Sequence, residues 1–266
     1  YPEIKPCPLH ITFHSFCNQI IKEYPDKFIN LRFAANEENC EFNLTDLSSL
    51  SELERIQIVE SIVDKIELKN LRPVKSPYFF IRDILKNIKN LKREGVSPDD
   101  FEEILKNEEF ILQHEPKINE KSGKPIAAYL QKEKELIKNK ELFEIYKLYQ
   151  SEISKKAKFD FEDMLMFVIK ILKEDSELLA FLQERYQYLL VDEYQDTNNA
   201  QNELVFLLMS YFDNPNIFVV GDDDQSIYRF QGANLQNFLF LHTKYPDLKH
   251  IVLTENYRSS QNILDS

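Results

Sequence analysis

Hydrophobic and polar positions fall into three successive rhythms along the chain. LHITF reads as a short strand entering an amphipathic helix, HSFCNQIIKEY, so that residues 9–24 form one strand-to-helix unit. From about residue 48 to 157 the apolar spacing is mostly helical, in a background rich in Lys, Glu, Leu and Ile. Breaks are expected near Pro73, Pro77, Gly95 to Pro98 and Gly123 to Pro125. From residue 158 onward helices alternate with compact apolar runs. FEDMLMFVIKIL, NNAQNELVFLLMSYF and ANLQNFLFLHTKY predict helices; YQYLLVD, NIFVVGD and HIVLTEN predict strands, the first of them buried. Strands alternating with helices imply an α/β fold around a parallel sheet with right-handed crossovers. Ligands of such sheets gather at the carboxyl ends of the strands. All three runs end in polar residues there, at Asp192-Glu193, Gly221-Asp222 and Glu255-Asn256, which points to a single site.

Composition narrows the classes. With 266 residues, 43% of them hydrophobic, the chain can bury one large core or two modest ones. No apolar run approaches the roughly 20 residues of a membrane span, and no signal-peptide pattern opens the chain. The chain begins at Tyr1, which suggests a piece of something longer. Its net charge of −12 argues against a surface coated in nucleic-acid-binding charge, but leaves room for a local basic track. Three cysteines without a CxxC pattern suggest a reducing cytoplasm. Cys7, His10, His14 and Cys17 can be read as a zinc set, but the strand-to-helix junction between them would scatter the side chains. Buried or capping roles are the expected ones.

Glycine is scarce, with four residues at 95, 123, 221 and 232. A phosphate-binding P-loop needs two glycines five positions apart, followed by Lys and Ser or Thr, and no pair fits. Nucleotide chemistry would therefore rest on other groups. In LLVDEYQDT, three apolar residues run into the paired carboxylates of Asp192 and Glu193. Two adjacent acids repel and call for a cation opposite them. An Asp that takes Mg²⁺ through water and a neighbouring acid that orients attacking water would suit nucleotide hydrolysis, although a strand can also end in two solvated acids. VVGDDDQSIYRFQGA follows, with Gln225 able to bond phosphate oxygens or water, and with Tyr228 and Phe230 able to stack bases or pack in a core. Arg258, after the third run, is a candidate stabiliser of phosphate charge or a surface Arg.

DEYQDTNNAQ, GDDDQSIYRFQGA and LTENYRSS, in that order, resemble the UvrD/Rep/PcrA family of superfamily 1 DNA helicases. The strongest likeness spans residues 186–266; ITFHSFCNQII and FDFEDML resemble two further family elements. The resemblance implies a RecA-like motor domain divided by an all-helical subdomain. Residues 1–47 and 158–253 would form the motor domain, 48–157 the insertion, and 254–266 the start of a second motor domain. It implies Asp192 as the Mg²⁺-associated carboxylate and Glu193 as general base for ATP hydrolysis. Gln225 becomes the γ-phosphate sensor, Arg258 the γ-phosphate arginine and Tyr257 the residue packing on adenine. Tyr228 and Phe230 would stack single-stranded DNA, and Thr12, Phe13 and His14 would contact the strand, while Phe161 and Asp163 stay structural. The family commonly has Trp and Arg where this chain has Phe230 and Gln231, which puts the latter's electrostatic contact in doubt. A P-loop lysine and the rest of the second motor domain would have to come from outside these residues, so the chain alone is not expected to hydrolyse ATP.

Residues 65–95 carry nine Lys or Arg against three Asp or Glu. Arg82, Lys86, Lys89 and Arg93 share one face of a predicted helix whose other face is Ile81, Ile84, Leu85, Ile88 and Leu91. That stripe is either a solvated helix face or a track for duplex DNA. The expected function is an ATP-driven 3′-to-5′ helicase acting on single strands and duplex junctions. The alternatives are the motor part of a helicase–nuclease and a catalytically silent DNA-binding or partner-docking module.

Overall fold

A computed structural model describes residues 10–28, 48–118, 126–156, 158–222, 236–255, 257 and 259. Ten helices and four short strands lie within them. Thr12 opens α1 (Phe13–Glu23) as its N-cap, with its hydroxyl accepting from the Ser15 N–H at 3.2 Å. The expected strand before it is therefore absent from residues 10–12, because Thr12 spends its extended backbone on the cap. A single turn, α2 (Pro25–Phe28), follows.

Four helices fill the middle of the chain: α3 (Glu52–Lys65), α4 (Ile81–Arg93), α5 (Pro98–His114) and α6 (Ala127–Lys155). Their starts are written locally. Ser51 with Glu54 and Ser97 with Asp100 form reciprocal capping boxes, and Pro98 occupies the first helical turn where its missing N–H costs nothing. Gly95 makes the α4–α5 turn at φ +75°, close to Ala200 on a later helix. The four helices share one core that includes Val59, Val63, Ile84, Ile88, Ile145 and Tyr149. Each such side chain contributes roughly 1.5–3 kcal/mol of burial.

The chain enters and leaves this helical stretch side by side. β1 (Ser48–Ser49) pairs in parallel with β2 (Lys158–Phe159). Beyond β2, α7 (Asp163–Glu174), α8 (Ser176–Arg185) and α9 (Asn199–Met209) pack with α1 around Cys17, Ile20, Val168, Leu172, Leu182 and Leu204. Helix α8, capped by Asp175, was not foreseen from the pattern. Burial pushes the Cys17 thiol up to about 12, so it packs here as a small apolar group.

β3 (Tyr188–Val191) and β4 (Asn216–Val219) form a parallel pair with α9 between them in the chain. A parallel sheet and its crossover helix are thus present. The run YQYLLVD is buried on one face only: Val191 is covered, but Tyr188 and Leu190 are 71% and 72% exposed. The second strand behaves alike, with Phe218 exposed. Among the described residues, cover reaches one side of this sheet, through α9 and α10 (Gln236–Lys244). No strand forms over residues 250–255, where Ile251, Val252 and Leu253 are exposed. Apolar, β-branched composition favours a strand, but a strand exists only against a partner edge, and none of the described strands lies beside it.

One buried ion cluster ties the two cores together. Lys92 on α4, fully buried, reaches Asp160 Oδ2 at 2.5 Å and Asp163 Oδ1 at 2.7 Å. The Tyr149 hydroxyl donates to Asp160 and the Gln150 amide to Asp163. Burial pushes Asp163 up to about 7, reinforced by the Asp160 charge beside it. Burial also pushes Asp160 upward, but Lys92 and hydrogen bonds from Asp163 outweigh it and hold Asp160 below the usual carboxylate range. Removing the cation would strand two neighbouring carboxylates. Lys92→Met is expected to lower unfolding free energy by about 3–5 kcal/mol. Lys92→Met combined with Asp160→Asn and Asp163→Asn should cost less than Lys92→Met alone, as read by urea unfolding. An equal or greater loss in the triple variant would contradict the cluster's electrostatic origin.

Candidate functional site

The carboxyl ends of β3 and β4 carry the densest polar geometry of the sheet. Strand register runs Tyr188 to Asn216 through Val191 to Val219, so the residues following each strand emerge together. The ladder continues beyond the assigned strands: the Val220 N–H donates to Val191 O and the Tyr194 N–H to Val220 O, each at 2.9 Å. Asp192 and Glu193 lie exposed on this rim.

Glu193 turns the chain at φ 49° and ψ 46°, the only left-handed non-glycine residue among those described. That conformation costs roughly 1–2 kcal/mol in an L-residue. Its surroundings compensate. The Glu193 N–H donates to Asp192 Oδ1 at 2.9 Å, and a 3-10 turn over Tyr194–Asp196 follows at once. Gln195, 2% exposed, donates from Nε2 to Glu193 Oε2 at 2.6 Å and accepts the Asp222 N–H on Oε1 at 3.0 Å. Thr197 closes the turn by donating to Tyr194 O at 2.7 Å. Asn198 then caps α9 in a box with Gln201. Gln195, Thr197, Asn198 and Gln201 are thus engaged in hydrogen bonds, whereas Asp192 and Glu193 lie exposed. The donor set is hard oxygen only, which suits Mg²⁺ rather than a soft metal. No group of three or more metal-capable side chains occurs among the described residues, but Mg²⁺ needs only one or two carboxylates beside substrate phosphates.

A second cluster borders the Lys92 ions. His14 on α1 stacks on Phe161, with ring centroids 3.6 Å apart and an interplanar angle of 16°. Glu162, nearly buried, faces Lys89 at 3.4 Å and Arg93 at 3.6 Å. The four-residue basic stripe is therefore divided. Arg82 and Lys86 stand exposed, while Lys89 and Arg93 are half-buried against a carboxylate from the next segment. Thr12 is exposed as well as capping, and Phe13 packs partly into the core. Tyr257 is 92% exposed. Gln225, Tyr228, Phe230 and Arg258, together with Cys7, lie outside the described residues.

The UvrD/REP helicase N-terminal domain family matches residues 8–246. The chain belongs to that family. It is 33% identical to the ATP-dependent DNA helicase PcrA of Staphylococcus epidermidis over 255 residues, which cover 96% of this chain and 28% of that protein. It is 32% identical over 254 residues to the Bacillus subtilis protein of the same name, covering 95% of this chain and 28% of the relative. The Staphylococcus aureus PcrA matches at 33% over 255 residues. The chain thus spans about 28% of the length of the curated relatives it matches. No described helix is long and apolar enough to cross a membrane.

Of the site residues expected from the sequence, Asp192 and Glu193 stand together and exposed at the rim of β3 and β4. Gln195 was missed, because its partner Asp222 lies 27 residues away and only folding joins them. Lys92 was missed too, although a signal existed. It falls one turn after Ile88, on the apolar face, where a lysine demands a buried acid.

His14 offers a pH test of the α1 junction. Burial depresses its pKa to about 4, helped by the nearby Arg93 and Lys89 charges, while a backbone contact at Phe161 opposes the shift. Its Nε2 finds no hydrogen-bond partner among the described residues. A histidine depressed in the folded state contributes stability above its unfolded pKa, and that stability is lost as pH falls. The urea midpoint should therefore fall between about pH 6.5 and about pH 4 more steeply in the parent chain than in His14→Phe, which keeps the ring stack without the titration. Parallel slopes would contradict this assignment.

Proposed function

We propose that this chain is part of an ATP-dependent DNA helicase that couples Mg-ATP hydrolysis to 3′-to-5′ movement on single-stranded DNA and to unwinding at duplex junctions. What carries the reading is the exposed Asp192–Glu193 pair at the shared rim of two parallel strands, in a chain of the UvrD/REP family. Asp192 would hold Mg²⁺, and Glu193 would accept the proton of the attacking water. Bound Mg²⁺ supplies charge neutralisation for the phosphates and for the two acids. Gln225, Arg258 and Tyr257 complete the nucleotide site, and Tyr228 and Phe230 stack the DNA bases. Thr12, Phe13 and His14 touch the strand. The parallel sheet is a RecA-like motor core over 1–47 and 158–253; residues 48–157 are an inserted helical subdomain and 254–266 begin a second motor domain. The separate core of α3–α6, closed at its base by the β1–β2 pair, supports the insertion. The protein works in the cytoplasm.

Glu193→Gln in the full-length protein should lower DNA-stimulated kcat by about 10²- to 10⁴-fold, the usual weight of a general base, while single-strand affinity stays within about twofold. In the same assay the 266-residue chain alone, which contains no P-loop, should show no DNA-stimulated turnover. Full turnover by Glu193→Gln would sink the motor reading. It would then favour the DNA-binding module, to which intact DNA affinity would still belong; turnover by the short chain would sink only the claim that the chain is incomplete as a motor.

The helical subdomain meets duplex DNA through α4. Arg82 and Lys86 carry that contact, because Glu162 already engages Lys89 and Arg93. Arg82→Glu with Lys86→Glu in the full-length protein should weaken duplex binding and make the log–log salt slope shallower by about 2, at about 0.9 per phosphate contact. An unchanged slope removes α4 from the duplex interface.

A further inference from the structure

Glu193 can act as a base only if its carboxylate is held where water meets phosphate, and its own backbone does not ensure that. A left-handed residue at the end of a strand projects its side chain along a direction that nothing in the strand ladder sets. Backbone bonds from Tyr194 to Val220 and from Val220 to Val191 fix only the chain path. The Gln195 side chain does more, because it donates to the Glu193 carboxylate itself.

Gln195 is buried and engaged at both ends. Its Nε2 must donate to Glu193 Oε2, because a carboxylate only accepts, and its Oε1 must accept from the Asp222 N–H, because a peptide nitrogen only donates. The amide therefore has a single self-consistent orientation, and flipping it would break both bonds at once. The 2.6 Å contact to Glu193 is a charge-assisted hydrogen bond, of the stronger class. At 2% exposure there is no bulk water to replace either bond. The geometry also explains why a glutamine stands here. Asparagine is one methylene too short to span from the turn to both partners, and glutamate has no proton to give at neutral pH.

We infer that Gln195 is a positioning residue for the reaction: it aims the Glu193 carboxylate and locks that aim to the carboxyl end of β4 at Asp222. This rests on the reading of Glu193 as the general base. It adds that the base is set from β4, across the strand boundary, by one buried amide. Asp192 is not held this way, since its described partner is the Glu193 N–H.

Two variants of the full-length protein test it. Gln195→Glu keeps the shape and the acceptor for the Asp222 N–H, but puts a second carboxylate against Glu193. Like charges at that distance repel, so the Glu193 carboxylate loses its aim. Gln195→Glu should therefore lower kcat at least about tenfold, with KM for ATP and single-strand affinity within about twofold. Gln195→Met removes both hydrogen bonds at similar volume. It should lower kcat at least about tenfold, with KM for ATP and single-strand affinity within about twofold, the split expected when an interaction acts in the transition state alone.

A matching loss of ATP and single-strand binding in either variant would mean that Gln195 only supports the fold, and overturns the inference. So does a kcat within twofold of the parent in either variant. Should Gln195→Met fail to fold, the near-isosteric Gln195→Glu decides alone. Glu193→Gln separates the two levels of the argument. If Glu193→Gln is inactive while both Gln195 variants behave as the parent, only the positioning role falls; if Glu193→Gln retains full turnover, the base assignment falls and the positioning role with it.

Discussion

Parallel pairing of β3 with β4 is the constraint from which the site follows. Antiparallel strands would carry their carboxyl ends to opposite edges, and the acids after Val191 could not meet the turn after Val219. Parallel strands must instead be joined by a crossover, and α9 supplies it. Its first turn begins immediately after the acid turn, with Asn198 as cap. A single short segment, residues 192–198, therefore ends a strand, presents two carboxylates and starts a helix. That compression explains the left-handed backbone at Glu193, because no relaxed path makes so sharp an exit from a strand into a helix cap.

The other organising element is the Lys92 cluster, and it acts at a distance from the rim. Burying one ammonium and two carboxylates is costly, and such a group persists only when every member is satisfied. Here Tyr149 and Gln150 from α6, the Asp160 and Asp163 backbone N–H groups and Lys92 from α4 together do so. The consequence is positional. Helices of the middle stretch are clamped to the start of α7, which packs in turn on α1 and α9. Glu162 extends the clamp to Lys89 and Arg93, and His14 lies over Phe161 in the same segment. FDFEDM is thus a junction in which Asp160, Glu162 and Asp163 engage α4 while Phe161 meets His14 on α1.

Local signals were legible in the sequence and relational ones were not. The helical stretch α3–α6 could be read because its apolar spacing and its Gly or Pro breaks are written within a few residues. The β3–α9–β4 unit was equally plain, and so were the acids at its end. The run HIVLTEN misled because strandness depends on an edge to pair with, which its own residues do not encode. The basic stripe was right in helical phase but could not reveal Glu162, which reaches Lys89 from 73 positions away in the chain. Gln195 looked like one polar residue among many in DEYQDTNNAQ, since nothing in that motif names Asp222 as a partner.

The chain contains two acidic pairs that look alike in one dimension: Asp160 with Asp163, and Asp192 with Glu193, each following apolar residues. Folding gives them opposite fates. The first is enclosed, with one lysine of the same chain bonded to both carboxylates, so neither is open to a ligand. The second stands at a rim with no lysine or arginine of the described residues in an ion pair with it, and only hydrogen bonds aim it. Like charges held together in solvent leave a site whose electrostatic need a cation from outside would meet. What separates the two pairs is thus the source of the countercharge. Where the chain supplies its own cation the acids hold helices together, and where it supplies none they stay open to solvent.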